Sequence, residues 1–344
     1  MPVDTDTQIP QLLTSNSATP RKIGLLSNPN SRRNRAHPGK VAAIVANHPA
    51  IDHRISQSAA DIGPALQAFA DNGVDVLAIN GGDGTTARVF TELFESHPFE
   101  HTPAIILLPG GTTNMNAGDV GMRGNLFRAV QRMLAWADNP SRGVERLVRS
   151  ILRVQGGVDS DPVYGLFFGT GTIISGIEYC KQNIHTLGIR DEFGPGLVML
   201  RTMWGIARKE AYFSTPTDTR IELDSHPDTG SRPVIQLIVS TLERLFLGLY
   251  PFWGREPGPL HCTWIEKPTR KVLRAFPSLV RGKPNRHVTP DNGYFSHNAQ
   301  RLRLWMDGLF TLDGEMHRAS AEHGPLTITS AGNLSFLRIT DAKK

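Results

Sequence analysis

A single carboxylate stands among glycines in the hexapeptide G-G-D-G-T-T at residues 81–86. Because glycine lacks a Cβ atom, the backbone of such a turn can adopt positive φ angles, and its N–H groups can approach a ligand closely. A helical pattern follows the turn, and the N-terminus of a helix favours an anion such as a phosphate group. The carboxylate of Asp83 would repel a bare phosphate, which predicts a divalent cation, Mg²⁺, between the two.

The residues around this turn predict a strand before it and a helix after it. Residues 74–80 form a short apolar run that is typical of a buried parallel strand. The apolar residues of 89–94 have the spacing of one helix face. A second apolar run, 104–108, leads into P-G-G-T-T-N at residues 109–114. Two such turns lie side by side at the carboxyl edge of a parallel sheet, where open α/β sheets bind ligands.

The first part of the chain alternates predicted strands and helices. Residues 23–27 form an apolar run that ends in the turn sequence N-P-N-S at residues 28–31. Three arginines follow and belong either to a solvated basic loop or to a clamp on a triphosphate or an acidic membrane: Arg32, Arg33 and Arg35. The alternation continues to about residue 145 and is typical of a parallel sheet covered on both faces. We therefore expect an α/β domain at residues 21–147.

From residue 149 onward, short β-rich runs separated by Gly, Pro, Asn and Asp dominate the sequence. These runs are 151–154, 163–168, 234–240, 272–276, 301–306, 309–312, 326–329 and 335–339. One helical insertion, at about residues 197–209, interrupts them. The pattern is typical of an antiparallel sandwich or barrel and predicts an all-β sandwich domain at residues 148–344.

The composition describes an ordinary, moderately basic protein. The 344 residues are 20% charged and 39% hydrophobic and have a net charge of +5, which suits acidic ligands such as nucleotide phosphates or anionic lipid surfaces. Only Cys180 and Cys262 are present, too few for a disulfide scaffold, which favours a reducing cytoplasm. Residues 1–20 are polar and are expected to form a disordered leader without a signal peptide. No apolar run approaches the roughly 20 residues of a spanning helix.

Several common motifs are absent. A dinucleotide-binding fingerprint fits residues 82–87, but it needs an acidic residue about 20 positions later. The next strand ends instead in L-P-G-G at residues 108–111. No P-loop, H-E-x-x-H or G-x-S-x-G motif occurs, which argues against P-loop, zinc peptidase and serine hydrolase sites. The basic residues are dispersed without a recognition motif, which argues against a nucleic-acid partner.

The last motif is T-L-D-G-E at residues 311–315. Asp-Gly is a standard turn dipeptide, so a plain hairpin turn explains Asp313 and Gly314. The carboxylate directly after the glycine makes Glu315 a candidate general base.

Together these residues resemble the diacylglycerol kinase catalytic-domain family of lipid kinases, which also includes sphingosine and ceramide kinases and many bacterial enzymes. Four motifs carry the resemblance, in the family's order: N-P-N-S at 28–31, G-G-D-G-T-T at 81–86, P-G-G-T-T-N at 109–114 and L-D-G-E at 312–315. The resemblance implies a nucleotide-binding α/β domain with a parallel sheet, followed by a β-sandwich, with ATP in the cleft. In some relatives the last segment packs back on the first domain.

Carried over position by position, the resemblance implies a site for ATP and Mg²⁺. The ATP site would be lined by Asn28, Pro29, Asn30, Ser31, Arg32, Ser56, Gly81, Gly82, Asp83, Gly84, Thr85, Thr86, Gly111, Thr112 and Asn114. Asp83 would organise Mg²⁺, and Glu315 would accept the proton of a lipid hydroxyl. Phosphoryl transfer depends chiefly on positioning and charge neutralisation, to which a base typically adds about 10²- to 10⁴-fold.

Two positions depart from the family pattern. The family's N-P-x-S is normally followed by Gly, whereas this chain has Arg32. The family's G-T-x-N is normally followed by Asp, whereas this chain has Met115. We expect the first departure to change the loop or to add a side-chain contact with phosphate, and the second to affect lipid specificity.

The sequence thus predicts an ATP- and Mg²⁺-dependent kinase that phosphorylates the hydroxyl of a membrane lipid, diacylglycerol-like or sphingoid, at the cytoplasmic face of the membrane. Basic clusters at 201–209, 267–274 and 281–286 and an aromatic tip at 250–253 are candidates for peripheral contact with an anionic bilayer. The alternatives are a non-catalytic nucleotide or lipid binder and an NAD kinase-like enzyme, although the Asn-Glu pair of NAD kinases is missing. The sequence is also compatible with a homodimer.

Overall fold

The computed structural model describes residues 22–111, 115–140, 143–158, 161–187, 201–202, 204–208, 210–224, 230–245 and 248–340. The expected leader at residues 1–20 lies outside this part of the chain, as do Thr112 and Asn114. Among the helices within these ranges, none has both the length and the apolar character needed to cross a bilayer.

Four parallel strands form the centre of the first part of the chain, in the order β4-β3-β1-β2. They are β1 (Ile23–Ser27), β2 (Ile51–Ile55), β3 (Val76–Gly81) and β4 (Ala104–Pro109). Six helices accompany them: α1 (Arg32–Ala36), α2 (Lys40–Val45), α3 (Ile62–Asp71), α4 (Asp83–Glu95), α5 (Met115–Asp119) and α6 (Leu126–Asp138). Every residue of β1, β3 and β4 is buried, because helices cover both faces of the sheet. Burial on both faces explains the continuous apolar runs.

Each face of this sheet has its own hydrophobic core. On one face, α3 and α4 pack their apolar sides against the strands and bury Leu66, Phe69 and Phe90. On the other face, α2 and α6 bury Val130 and Trp136 against the same strands. The three strands β1, β3 and β4 are therefore held between two helical layers, whereas the edge strand β2 is partly exposed.

The second part of the chain is mainly antiparallel and forms a sandwich, so the predicted fold class is confirmed. Its strands are β5 (Val144–Gln155), β6 (Val163–Gly165), β7 (Phe167–Gly171), β8 (Thr217–Leu223), β9 (Ser231–Ser240), β10 (Leu260–Glu266), β11 (Tyr294–Ala299), β12 (Arg301–Trp305), β13 (Gly308–Leu312), β14 (Glu315–Ala319) and β15 (Leu326–Ile339). Its helices are α7 (Thr172–Leu187), α8 (Ala211–Ser214) and α9 (Val272–Arg281). Phe168, Leu237 and Leu302 are fully buried in its core.

The two parts are joined by a hydrogen-bonded ladder. The runs predicted at 326–329 and 335–339 belong to one strand, β15, which pairs with β5 in antiparallel fashion from Thr327 to Ile339. Near its end β15 also pairs in parallel with β4, where Phe336 lies opposite Ile105. The last strand thus returns to the first sheet and fixes the position of the sandwich beside it.

The strand predicted at 272–276 is wrong, because this segment begins helix α9. Val272, Ala275 and Leu279 are its buried apolar residues, and their spacing of three and four is the helical period. Pro277 lies inside the helix. The described part of the predicted helical insertion, 201–202 and 204–207, is helical.

The aromatic tip expected at 250–253 is also wrong. Phe252 is only 2% exposed, and Trp253 is half-buried against the core around α9. Tyr250 makes an edge contact with the Phe252 ring at 5.8 Å between centroids. Phe252 packs into the interior, and Tyr250 and Trp253 are partly buried, so this segment does not project as an exposed aromatic tip.

Candidate functional site

The loop after β1 lies at the centre of the carboxyl edge of the parallel sheet. Ser27 ends β1 and pairs with Ile55 of β2 on one side and with Asn80 of β3 on the other. The backbone N–H of Asn28 donates to the carbonyl of Asn80 at 2.9 Å. The amide Nδ2 of Asn28 donates to Oγ1 of Thr85, also at 2.9 Å. The N-P-N-S loop is therefore tied directly to the first turn of α4.

Two buried asparagines that the sequence analysis missed hold this loop in shape. Nδ2 of Asn34 donates to the carbonyl of Asn28 at 2.7 Å and to Oγ of Ser31 at 3.0 Å. Nδ2 of Asn80 donates to Oγ of Ser27 at 3.0 Å and to Oδ1 of Asn34 at 3.2 Å. A buried amide needs such partners, so the polar Asn80 at the end of an apolar strand was a signal available in the sequence.

Close packing, and not positive φ, explains two of the three glycines of G-G-D-G-T-T, Gly81 and Gly84. Helix α4 begins at Asp83 itself, and Gly82, which precedes it, has φ −91° and ψ −178°. A Cβ atom on Gly81 would lie 2.5 Å from Cβ of Thr85, and one on Gly110 would lie 2.8 Å from Oδ1 of Asn80. This turn therefore does not use the positive φ that glycine allows, and the close approach of neighbouring chain segments is the reason for Gly81 and Gly84.

Glu315 lies against the same helix terminus. Asp313 and Gly314 both have positive φ, +50° and +92°, and Leu312 pairs with Glu315 across a two-residue hairpin. This hairpin brings the Glu315 carboxylate to Gly84: a Cβ atom there would overlap Oε1 of Glu315 and lie 3.1 Å from its Cδ. The hairpin and the site interpretations of T-L-D-G-E are thus compatible.

A cavity of about 550 Å³ opens at this point, between the two parts of the chain. The sequence-predicted residues that line it are Asn28, Asn30, Ser31, Arg32, Ser56, Gly82, Asp83, Gly84, Thr85, Gly111 and Glu315. The residues that line it without having been predicted are Gln57, Ser58, Ala59, Ile62, Arg88, Asp313 and Gly314. Asp83 and Glu315 therefore face one shared space.

Three predicted residues do not line this cavity. Gly81 is buried inside β3, and Oγ1 of Thr86 donates to the carbonyl of Gly82 at 3.2 Å within α4. Pro29 lies in the loop between two lining residues. Arg88 could have been found, because it follows Gly84 by one helical turn and so shares its face of α4.

The charges around the cavity have both signs. Arg32 and Arg88 line it, and Arg88 also forms an ion pair with Glu92, with 2.9 Å between Nη2 and Oε1. The N-terminus of α4 adds partial positive charge, and its N-cap, Gly82, has no side chain to occupy the free N–H groups. This end of the cavity can bind an anion with several negative charges, such as a polyphosphate.

Asp313 is a buried carboxylate beside the cavity. Its Oδ1 accepts the backbone N–H of Phe167 at 2.9 Å, and its Oδ2 accepts the N–H of Leu166 at 3.1 Å and Nδ2 of Asn116 at 2.8 Å. Burial, and then the nearby charge of Asp83, raise the pKa of Asp313 to about 7 against the effect of these donors. Asp313 thus fixes the hairpin that carries Glu315.

Helix α5 links the second glycine-rich turn to the hairpin that carries Glu315. It follows the second glycine-rich turn, and its Asn116 donates to Asp313 in the other part of the chain. Its Asp119 is buried and accepts Nε of Arg149 at 3.1 Å, and Nη2 of Arg149 lies 3.1 Å from Oε1 of Glu243. The helix is therefore fixed to β5 and to the segment after β9.

Helix α4 also contacts the sandwich at both ends. Its first turn meets Glu315, and near its last turn the Tyr164 hydroxyl donates to Oε1 of Glu95. The rings of Phe94 and Tyr164 stack with 5.6 Å between their centroids. Contacts at both ends of one rigid helix fix the distance between Asp83 and Glu315.

The sequence of the first part of the chain matches a known family. Residues 22–141 match the model of the diacylglycerol kinase catalytic domain. The matched segment is about a third of the chain. The match contains both glycine-rich turns and the N-P-N-S loop, and residues of all three segments line the cavity. No curated protein matches the sequence.

Solved structures show the fold of diacylglycerol kinase-like proteins over nearly the whole chain. One is a diacylglycerol kinase from Bacillus anthracis strain Sterne, at 18% identity and a TM-score of 0.56. Two more structures from that strain, provisionally described as diacylglycerol kinases, are 18% and 19% identical, both with a TM-score of 0.57. Each alignment covers 93% of this chain and 97% of the other. At such identities the likeness establishes the fold alone.

Asp83 is the residue predicted to hold a metal ion, and it lines the cavity. Across the described residues, no group of three or more His, Cys, Asp or Glu side chains could hold an ion together. Asp313 lies close to Asp83, but its oxygens already accept hydrogen bonds. A cation at Asp83 would therefore take its other ligands from phosphate and water oxygens, a donor set that suits Mg²⁺.

Proposed function

We propose that the protein is an ATP- and Mg²⁺-dependent kinase that phosphorylates the hydroxyl group of a membrane lipid, diacylglycerol-like or sphingoid. The observation that carries the proposal is that Asp83, Glu315 and the N-terminus of α4 face one cavity. A phosphate-binding helix terminus, a metal-binding carboxylate and a proton acceptor are the parts that phosphoryl transfer needs.

The lining of the cavity would suit the two ends of ATP in different ways. Ala59 and Ile62 provide apolar surface at the side formed by the segment after β2, which suits the adenine ring. Gly82, Gly84 and Arg32 line the side at the start of α4, which suits the phosphates. When bound at Asp83, Mg²⁺ would neutralise negative charge on the phosphate oxygens.

Glu315 is the proposed general base. Its carboxylate would accept the proton of the lipid hydroxyl as the hydroxyl oxygen forms a bond to the γ-phosphorus of ATP. The bond between that phosphorus and the bridging oxygen breaks, and ADP leaves with the electron pair. Asp313 is less suited to this role, because N–H donors from Leu166, Phe167 and Asn116 occupy its oxygens. We place this reaction at a membrane surface on the cytoplasmic side.

The test is transfer of radiolabel from γ-labelled ATP to extracted membrane lipids, with Glu315→Gln alongside. We expect the variant to lose about 10²- to 10⁴-fold in rate, the usual contribution of a general base. Glu322→Gln is the matched control, because Glu322 is exposed and lies outside the cavity. Equal transfer by Glu315→Gln would remove Glu315 as the base, and binding of ATP without transfer to any lipid would reject the kinase.

A further inference from the structure

Three large apolar side chains are exposed around one small core in the sandwich. Leu273 is 57% exposed, Trp204 50% and Tyr212 48%. The small core is made by Ile206, Phe213 and Val272. Trp204 lies two residues before Ile206, Tyr212 directly precedes Phe213, and Leu273 directly follows Val272. The helical segment at 204–207, α8 and the start of α9 therefore meet at this core and present these three side chains outward.

Cations lie among the exposed apolar side chains. The guanidinium of Arg208 is 5.5 Å from the Trp204 ring centroid. Lys271 and Arg274 flank Leu273 in sequence and are both exposed. Desolvation and then the positive charges of Arg286, Arg274 and Lys271 lower the pKa of His287, which shows that these cations are close together.

The charge of this segment is one-sided. Residues 267–287 contain seven Lys and Arg residues and no Asp or Glu. Among the described residues, the charge of Glu178 acts on Tyr212, and Glu210 forms an ion pair with Arg201 at 2.7 Å. An excess of cations beside exposed Trp, Tyr and Leu side chains matches the interface of an anionic bilayer, where rings lie at headgroup level and cations contact phosphates.

We propose that Trp204, Arg208, Tyr212, Lys271, Leu273 and Arg274 form a docking face for a bilayer that contains anionic lipid. The proposal rests on the proposed function in one respect, because a kinase acting on a membrane lipid must contact the bilayer. It also selects among the surfaces that the sequence suggested, since the 250–253 segment is packed inward. Loss of a cation from the face should weaken vesicle binding about 5-fold, the effect expected of one Lys or Arg near an anionic surface.

The test is co-sedimentation of the full chain with vesicles of phosphatidylcholine alone or mixed with phosphatidylglycerol. We expect binding to the mixed vesicles alone, weakened by salt. Lys271→Gln/Arg274→Gln should weaken it about 25-fold, and Trp204→Ala/Leu273→Ala should weaken it at unchanged charge. The controls are Arg128→Gln/Arg301→Gln and Val148→Ala, which remove exposed cations and an exposed apolar side chain elsewhere.

Transfer to lipid in detergent micelles separates the two proposals. The docking variants should keep wild-type transfer in micelles and lose it on vesicles. Vesicle binding without activity on any lipid would reject the kinase and keep the docking face. If both docking variants bound vesicles as well as the wild type does, the docking face would be rejected. It would also be rejected if the wild type formed a dimer that these variants dissociate, because the face would then bind a second copy of the chain.

Discussion

The Glu315 carboxylate lies against Gly84 so closely that a Cβ atom on Gly84 would overlap its Oε1. Gly84 belongs to the first turn of α4, next to Asp83, and Glu315 begins β14 in the sandwich. This contact places the proposed base at the helix terminus that would bind phosphate.

Gly84→Ala should therefore reduce activity while the fold is kept. Alanine suits a helix better than glycine by roughly 0.5–1 kcal/mol, but its methyl group must displace the Glu315 carboxylate. We expect transfer to fall by up to about 10²- to 10⁴-fold, the contribution of a base, without a lower melting temperature. Gly118→Ala is the control, because nothing lies within 4 Å of a Cβ atom there. Full activity of Gly84→Ala would show that the contact does not matter.

Arg32→Gly should weaken the use of ATP. Arg32 lines the cavity where the family has glycine, and a hydrogen bond to a charged group contributes about 1.5–3 kcal/mol. We expect the KM for ATP to rise about tenfold or more, since 1.4 kcal/mol corresponds to tenfold. Arg35→Gly is the matched control on the same helix, because Arg35 is exposed and does not line the cavity. An equal KM in both variants would reject a phosphate contact by Arg32.

Asp313→Ala should destabilise the protein, in addition to any effect on transfer. The substitution leaves the N–H groups of Leu166 and Phe167 and the amide of Asn116 without their acceptor. One unpaired buried group costs about 1–3 kcal/mol, so urea unfolding should show a loss of about 3 kcal/mol or more. The exposed Asp161 provides the control variant Asp161→Ala, which should stay within about 0.5 kcal/mol of the wild type.

The stability of the sandwich should depend on Glu256 in acid. Partial burial raises the pKa of Glu256, but hydrogen bonds from the N–H of Asn298 and the ring of His297 outweigh it and lower this pKa to about 2. A carboxyl group with a lowered folded-state pKa stabilises the fold above its unfolded value, and this stabilisation is lost as the pH falls from about 4.5 towards 2. Melting temperatures of the wild type and Glu256→Gln should therefore differ at pH 7 and converge only as the pH approaches about 2. A constant difference at all pH values would contradict this assignment.

Much of the first part of the fold could be predicted from local patterns. The strands β1, β3 and β4 are fully buried, so their apolar runs and the turns that end them identify them directly. Because β1, β2 and β3 are parallel neighbours, the loops that follow them, at 28–31, 56–59 and 81–85, lie together at the carboxyl edge of the sheet. Helix α9 shows the limit of this approach, because a short apolar run with an internal proline has the pattern of either element.

The sequence by itself determined which residue types could bind phosphate, metal and proton, because glycine turns and carboxylates are local features. Only the tertiary structure decided that Asp83 and Glu315 face one cavity, because their distance depends on the ladder between β5 and β15 and on the contacts at both ends of α4. Burial, likewise, is a property of the assembled fold. Burial raises the pKa of Asp313 to about 7. It also places Phe252, in the expected aromatic tip, inside the core.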